Sequence, residues 1–352
     1  MLLTSALFFA SKIRSPHSCR TLLNDLFFIQ SNMLTCFPRF SFVSKKISGF
    51  SLVEQVTKKV QSMLRLLQGD PRFLVMSWVA RFVAVREWVA DHGSYQPPAV
   101  IDATVIHATS GACPLESPGQ VAKVIQTQGY YVGLTLQDSI LQDLITFAET
   151  TPCYGNRDSS MPFYIKNKDQ VEQALGAPLL VASYLDTHET CNAYQKLKTD
   201  PYLLDVASQY LNHSAVYMRG ELAWGFPAPN TQTEKVKTAR VFHCDINDFK
   251  TIKFFFYLSD VGEGDGPHVY LQGTHLNRRL RHQWLGQGCA SICDRTLIDV
   301  YGSERVRVVT GPAGFGFAGD PYCLHKGTVP EDSSRLLLQL EYGMHPYRIW
   351  YF

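Results

Sequence analysis

His243 and Asp245 stand two residues apart in Ala239-Arg240-Val241-Phe242-His243-Cys244-Asp245, at the end of a β-branched and aromatic run. Alternate side chains of an extended strand share a face, about 7 Å apart at the Cα atoms, so this imidazole and carboxylate can turn toward one cation. Such a pair suits a borderline divalent metal better than calcium or a thiolate-bound zinc. Alone, His-x-Asp is more often a surface or hydrogen-bonded couple. Its company adds weight: His325 lies in Asp320-Pro321-Tyr322-Cys323-Leu324-His325, and Arg335, ten residues on, opens the apolar strand Leu336 to Tyr342. Two histidines and a carboxylate form a facial triad with open positions, the arrangement of non-haem Fe(II) oxygenases. A guanidinium at the mouth of an apolar strand is costly to bury without an anion, and it matches a carboxylate with two prongs.

Strands must carry these groups. From Ser214 onward, short β-branched and aromatic runs alternate with Gly, Asp and Pro turns: 215–226, 238–246, 251–261, 268–271, 305–309, 314–317 and 335–342. With one helical interruption near Arg295 to Tyr301, the pattern predicts an antiparallel sandwich or open barrel. Upstream, the spacing predicts a helix over Val121–Gln128, a strand over Tyr130–Leu136, a helix over Asp138–Glu149, and a helix capped by Asp200 that runs from Pro201 to Leu211. Residues 91–120, with Pro97-Pro98, read as loop. Phe73 to Ala90 reads as one amphipathic helix, since Arg81 and Arg86 are costly at bilayer depth and argue against an integral membrane span.

The 352 residues hold 33 Lys+Arg against 31 Asp+Glu, so the total charge gives no footprint for nucleic acid. Residues 1–70 nevertheless carry nine basic and three acidic side chains. They read as a basic N-terminal extension: a poorly ordered segment or over-long translation start, an organellar transit segment of an otherwise cytoplasmic protein, or a folded accessory module. Residues 71–118 then form a helix and linker, and 119–352 the catalytic domain. The nine cysteines include no CxxC pair, which disfavours structural zinc and fits free thiols.

The body resembles the phytanoyl-CoA dioxygenase family of Fe(II)- and 2-oxoglutarate-dependent oxygenases over about residues 119–345. The resemblance rests on ordered features: Gln128-Gly129-Tyr130-Tyr131-Val132, the His243/Asp245 pair, the strand Lys253 to Val261, Gly266-Pro267 leading to Gly273-Thr274-His275, the Gly311 to Gly314 turn, and the His325 to Arg335 spacing. It implies an α+β fold, a double-stranded β-helix (jelly-roll or cupin-like barrel) with supporting N-terminal helices. His243, Asp245 and His325 would bind Fe(II), Arg335 would hold the distal carboxylate of 2-oxoglutarate, and Thr328 would add a hydroxyl to it. With O2, such an enzyme hydroxylates a small organic substrate, as monomer or homodimer, and releases succinate and CO2. The retained Asp245 favours hydroxylation or a related oxidation over halogenation.

Other residues receive plainer readings. His275 fixes a loop, His268 follows a strand connection, Cys244 packs, and Arg240 makes a surface salt bridge, the preferred reading, or a substrate contact. Lys253 either snorkels out at a strand end, the preferred reading, or reaches into the cavity toward an anion. Arg278-Arg279-Leu280-Arg281-His282 reads as a solvated helix face. Substrate contacts are expected from residues 150–235, which carry no discriminating motif. The competing reading is a barrel redeployed to bind a metal or ligand without oxygen chemistry.

Overall fold

Three helices ahead of the main strands open in the same way, with a capping side chain followed by proline. In the computed structural model, which describes residues 70–97, 104–108, 115–227 and 241–347, these helices are Pro71–Val79, Pro118–Gln128 and Pro201–Leu211. Asp70, Ser117 and Asp200 accept from first-turn amides, and proline fills a position whose N–H would be unsatisfied anyway. Asp200 also accepts from Thr104 Oγ1 at 2.8 Å and Val105 N at 2.9 Å, which ties the next strand to the body. All described residues lie in the unit Lys59–Phe352.

The strands among the described residues are β1 (Ile106–Ala108), β2 (Tyr130–Leu136), β3 (Cys153–Gly155), β4 (Pro162–Phe163), β5 (Val181–Tyr184), β6 (Val216–Gly225), β7 (Thr251–Tyr257), β8 (His268–Leu271), β9 (Val306–Val309), β10 (Phe315–Gly319), β11 (His325–Gly327) and β12 (Arg335–Gly343). They form a large antiparallel sheet ordered β1-β2-β10-β7-β12-β6-β5-β3-β4 and a small one ordered β11-β8-β9. His243 joins the free side of β11 through an isolated bridge, with reciprocal 3.0 Å hydrogen bonds to His325. From β6 onward the chain crosses repeatedly between sheets, so the segments that bear His243 and His325 meet although they are far apart in sequence.

β7 shows how one strand serves two cores. All seven residues are buried, as expected of a strand covered on both faces. Ile252, Phe254 and Phe256 pack with Leu338, Leu340 and the helices, while Phe255 and Tyr257 pack with Tyr270, Val309 and Phe317 between the sheets. Phe255 and Phe317 stack at 4.9 Å.

Several expectations need correction. The single helix over Phe73–Ala90 is two, Pro71–Val79 and Val83–Asp91, because Phe82 is extended (φ −94°, ψ 123°) and restarts the chain. The loop over 91–120 contains β1, paired with β2. The strand over 238–246 is absent across 241–246, where His243 alone bridges, and 238–240 lie outside the described residues. In the basic run, Arg279 and Arg281 are exposed, but Arg278 and His282 are buried. Arg278 precedes the short helix Leu280–Leu285 and donates to the carbonyls of Thr274 and Tyr322. No helix among the described residues is long and apolar enough to cross a membrane.

The broken helix pair serves to deliver Arg86. Its guanidinium meets the buried Asp320 carboxylate at 3.3 Å, and Tyr210 donates to the same carboxylate at 2.7 Å. Arg86 and Arg278 each lie 4.1 Å from the Tyr322 ring centroid, a double cation–π contact. Burial alone would raise the Asp320 pKa, but Arg86 and its other partners hold it below the usual carboxylate range. Arg86→Met strands that carboxylate and is expected to cost about 3–5 kcal/mol in urea unfolding. Adding Asp320→Asn should recover a substantial part of the loss, because the stranded charge is then gone.

Candidate metal centre

The turn that presents His325 follows from its sequence. Asp320 Oδ1 accepts from Tyr322 N at 2.8 Å, Cys323 N donates to Asp320 O at 2.9 Å, and Pro321 sits where a turn favours it. Asp245 N donates to Pro321 O at 2.8 Å, so this turn seats the carboxylate segment as well. His325 then enters β11 opposite Tyr270.

The ligand-type atoms of His243, Asp245 and His325 all lie within 4.8 Å of one another. His243 Nδ1 lies 2.9 Å from Val241 O, and His325 Nδ1 lies 2.8 Å from Cys323 O. A carbonyl can only accept, so Nδ1 of each ring carries a proton and Nε2 is the atom left to face a cation. The two carboxylate oxygens differ in their surroundings: Oδ1 is 3.9 Å from His243 Nε2, and Oδ2 accepts from Lys253 Nζ. Burial would raise the Asp245 pKa, but Lys253 and the imidazoles outweigh it and hold the carboxyl well below its ordinary range. Burial, followed by the neighbouring His243, pushes His325 down to about 3. Near neutral pH, therefore, Asp245 is anionic and His325 neutral, the forms that ligate a metal. Two imidazoles and one carboxylate, with no thiolate, fit divalent iron and its neighbours in the first transition row.

Lys253 does not snorkel out. Its side chain is 8% exposed and lies between Asp245 and Glu341, whose Oε2 is 3.7 Å from Nζ. The preferred sequence reading fails because the inner face of β7 opens onto two carboxylates that would otherwise be buried with less compensation.

Arg335 stands at the start of β12, opposite Gly225. Its Nη1 donates to Gly266 O, while its Nε is enclosed with no hydrogen-bond partner. Burial lowers its pKa from the ordinary guanidinium value, and the neighbouring Tyr257 only partly opposes this. A Cβ added at Gly327 would lie 3.4 Å from Arg335 Nη2, so the guanidinium runs along β11 two residues past His325. Thr328 Oγ1 donates to Pro267 O at 2.9 Å, next to the Gly266 carbonyl that holds Arg335. A half-buried guanidinium with an enclosed, unmet donor suits a carboxylate-bearing molecule such as 2-oxoglutarate.

Sequence reasoning missed His268. Its ring stacks on His325 at 5.4 Å and 17°, packs 4.7 Å from Phe255, and leaves Nε2 enclosed without a partner. Burial, then His325 and Arg335, drive its pKa well down, so it is neutral. The available signal was its period-two relation to Tyr270 on β8, which puts both on one face. His275, by contrast, bonds Gln126 O at 3.0 Å through Nε2, the loop-fixing role expected of it. Cys244 is buried with its thiol toward Gly286 O, as expected of a packing residue. Arg240 lies outside the described residues.

No protein-family profile matches the chain, and no curated protein matches it. Among solved structures it is similar to the non-heme alpha ketoglutarate dependent epimerase SnoN from nogalamycin biosynthesis, at 14% identity and TM-score 0.41 over 64% of this chain and 82% of that one. AviO1 from Streptomyces viridochromogenes gives 13% identity and TM-score 0.44 over 67% of this chain and 100% of that one. EctD from S. alaskensis with bound Fe gives 14% identity and TM-score 0.40 over 72% and 87%. Likeness at this level says nothing about activity, which the side chains must carry.

Proposed function

We propose that this chain is an Fe(II)- and 2-oxoglutarate-dependent dioxygenase that hydroxylates a small polar molecule, with release of succinate and CO2. The observation that carries the reading is a two-His, one-carboxylate cluster together with a guanidinium, near Gly327 on the strand that His325 opens, whose enclosed Nε has no partner among the described residues. The strand crossings between the two sheets, with His243 completing the small one, fit the double-stranded β-helix of such enzymes. His243, Asp245 and His325 would hold the iron, and Arg335, flanked by Thr328, would hold the distal carboxylate of 2-oxoglutarate. Iron with 2-oxoglutarate and O2 supplies the oxidising chemistry. The chain's own part is to fix three donors on one side, pair the cosubstrate's charge, and keep water out with Phe255, Tyr270 and Phe317.

The row of the large sheet in register with Lys253 and Phe255 is charged, and we place the substrate against it. Glu341 on β12 accepts from Arg219 Nε on β6 at 2.7 Å, and one row further Gln339 Nε2 donates to Glu221 Oε2 at 2.9 Å. Arg157 grips Glu221 through both oxygens, at 2.8 and 3.1 Å. Such a wall would press the methylenes of a fatty acyl chain against ions, but it offers donors and acceptors to a polar substrate. Arg157, Arg219 and Glu221 all fall within the 150–235 stretch expected to supply substrate contacts.

The reading is tested anaerobically with Fe(II) and 2-oxoglutarate, where a visible charge-transfer band should appear only when both are present. Aerobic incubation with a panel of polar metabolites should then give succinate and a product heavier by one oxygen. Fe(II) uptake with no succinate across the panel would instead favour a barrel that binds metal without turning over.

A further inference from the structure

Lys253 is the third residue of β7 on the inner face of the large sheet, in register with Glu341 on β12 and Gly319 on β10. Lysine is almost never buried without an anionic partner, and this one has two: Asp245 Oδ2 and, at 3.7 Å, Glu341 Oε2. Glu341 is itself only 2% exposed and takes Asn247 Nδ2 and Arg219 Nε, each at 2.7 Å. It is therefore a fixed post, with Lys253 spanning from it to the metal-site carboxylate. The span divides that carboxylate, with Oδ1 toward His243 Nε2 and Oδ2 held by the ammonium.

We infer that Lys253 is a positioning residue that confines Asp245 to one metal-facing oxygen, giving up metal affinity to keep a coordination position open. The inference rests on the metal-centre reading above. An ammonium beside a ligand carboxylate repels a divalent cation and withdraws one of the two oxygens that could bind it. Both effects weaken metal binding, so the arrangement makes sense only if the second oxygen must be kept away. Carboxylates bind metals through one oxygen or through two. A two-oxygen Asp245 would add a fourth protein donor and take a place needed by a chelating keto acid or by O2. Lys253 acts through Asp245, not on the substrate.

The test uses the full-length protein with Co(II) as probe. Melting temperatures are measured with and without Co(II) for the wild type, Lys253→Met and Lys253→Arg, and 2-oxoglutarate titrations are run on each Co(II)-loaded protein. In Lys253→Met the metal-free protein should melt lower, because Asp245 has lost its partner. Its Co(II)-induced rise should be larger than that of the wild type, and its 2-oxoglutarate affinity should fall, because the released second oxygen of Asp245 competes for the place the keto acid needs. Lys253→Arg keeps a cation at Oδ2 and should stay near the wild type in both readouts. A lysine that serves only the fold would lower metal-free and metal-loaded melting equally, so an equal or smaller Co(II)-induced rise in Lys253→Met overturns the inference. If Lys253→Met does not fold, Lys253→Gln takes its place: its amide can still hold Oδ2 without charge, so the Co(II)-induced rise should grow while 2-oxoglutarate affinity is kept. An equal or smaller rise in that variant counts against the inference. Absence of any Co(II) effect on the wild type would remove the metal-centre reading itself, an outcome distinct from failure of the lysine assignment.

Discussion

Asp245→Ala is expected to weaken Fe(II) or Mn(II) binding by more than about 100-fold, the upper end of what loss of a ligand-orienting partner alone causes. The change removes the only anionic donor of the cluster and leaves two imidazoles. It also leaves Lys253 with Glu341, at 3.7 Å, as its remaining acidic partner. Some of the measured effect of the alanine variant is therefore a less stable fold. Asp245→Asn separates the two causes, since its side-chain oxygen can still accept from Lys253 while the charge is gone. The asparagine variant should melt closer to the wild type than the alanine variant does and still bind metal poorly. Anaerobic calorimetric titration of both variants against the wild type checks this. Wild-type affinity in Asp245→Ala would mean that metal sits elsewhere. The protonation states make the comparison clean near neutral pH, because Asp245 lies well below its usual range and His325 is pushed down to about 3. Neither has to give up a proton before it can bind the cation.

His243, Asp245 and His325 stand out in the sequence as candidate ligands because each is a polar or charged residue in an apolar neighbourhood. The structure adds that they are neighbours, which depends on strand pairing that no local pattern encodes. His243 and His325 meet through a single isolated bridge. β-branched composition suggests a strand around His243, yet the backbone there is irregular, since Asp245 N bonds Pro321 O instead of a neighbouring strand. Lys253 is misleading for a related reason. Alternation correctly puts it on one face with Phe255 and Tyr257, but whether that face meets water or carboxylates depends on Glu341, eighty-eight residues away. In the sequence Arg86 stands out only as a charge unfit for a membrane, whereas its buried partner Asp320 is fixed by tertiary packing. His268 is legible as a strand residue, but His325, Phe255 and Phe317, which its ring meets, come from other strands. Helix starts are the easiest features to read, because a cap followed by proline is a local signal that tertiary contacts do not override at Asp200.

Arg335→Leu is expected to raise the dissociation constant for 2-oxoglutarate by tens- to thousands-fold, corresponding to about 2–5 kcal/mol for losing one partner of a buried, hydrogen-bonded charge pair. The metal site should be nearly untouched, because the guanidinium contacts Gly266 and runs beside Gly327, not against Asp245. Metal-free melting gives a second, opposite-signed readout. Arg335 has an enclosed Nε without a partner among the described residues, and burial lowers its pKa. A cation in that state is a net cost to the fold, so replacing it with an apolar side chain should leave the melting temperature unchanged or higher. A structural arginine would behave in the reverse way, with its removal lowering stability and affecting ligand binding only through a damaged fold. Lys at this position keeps the charge but not the planar fork, and should recover only part of the affinity. Calorimetric titration of 2-oxoglutarate into Mn(II)-loaded wild type, Arg335→Leu and Arg335→Lys, paired with thermal melts of the same proteins, decides the point. Normal affinity in Arg335→Leu would remove 2-oxoglutarate from the proposed reaction even if the metal cluster were confirmed.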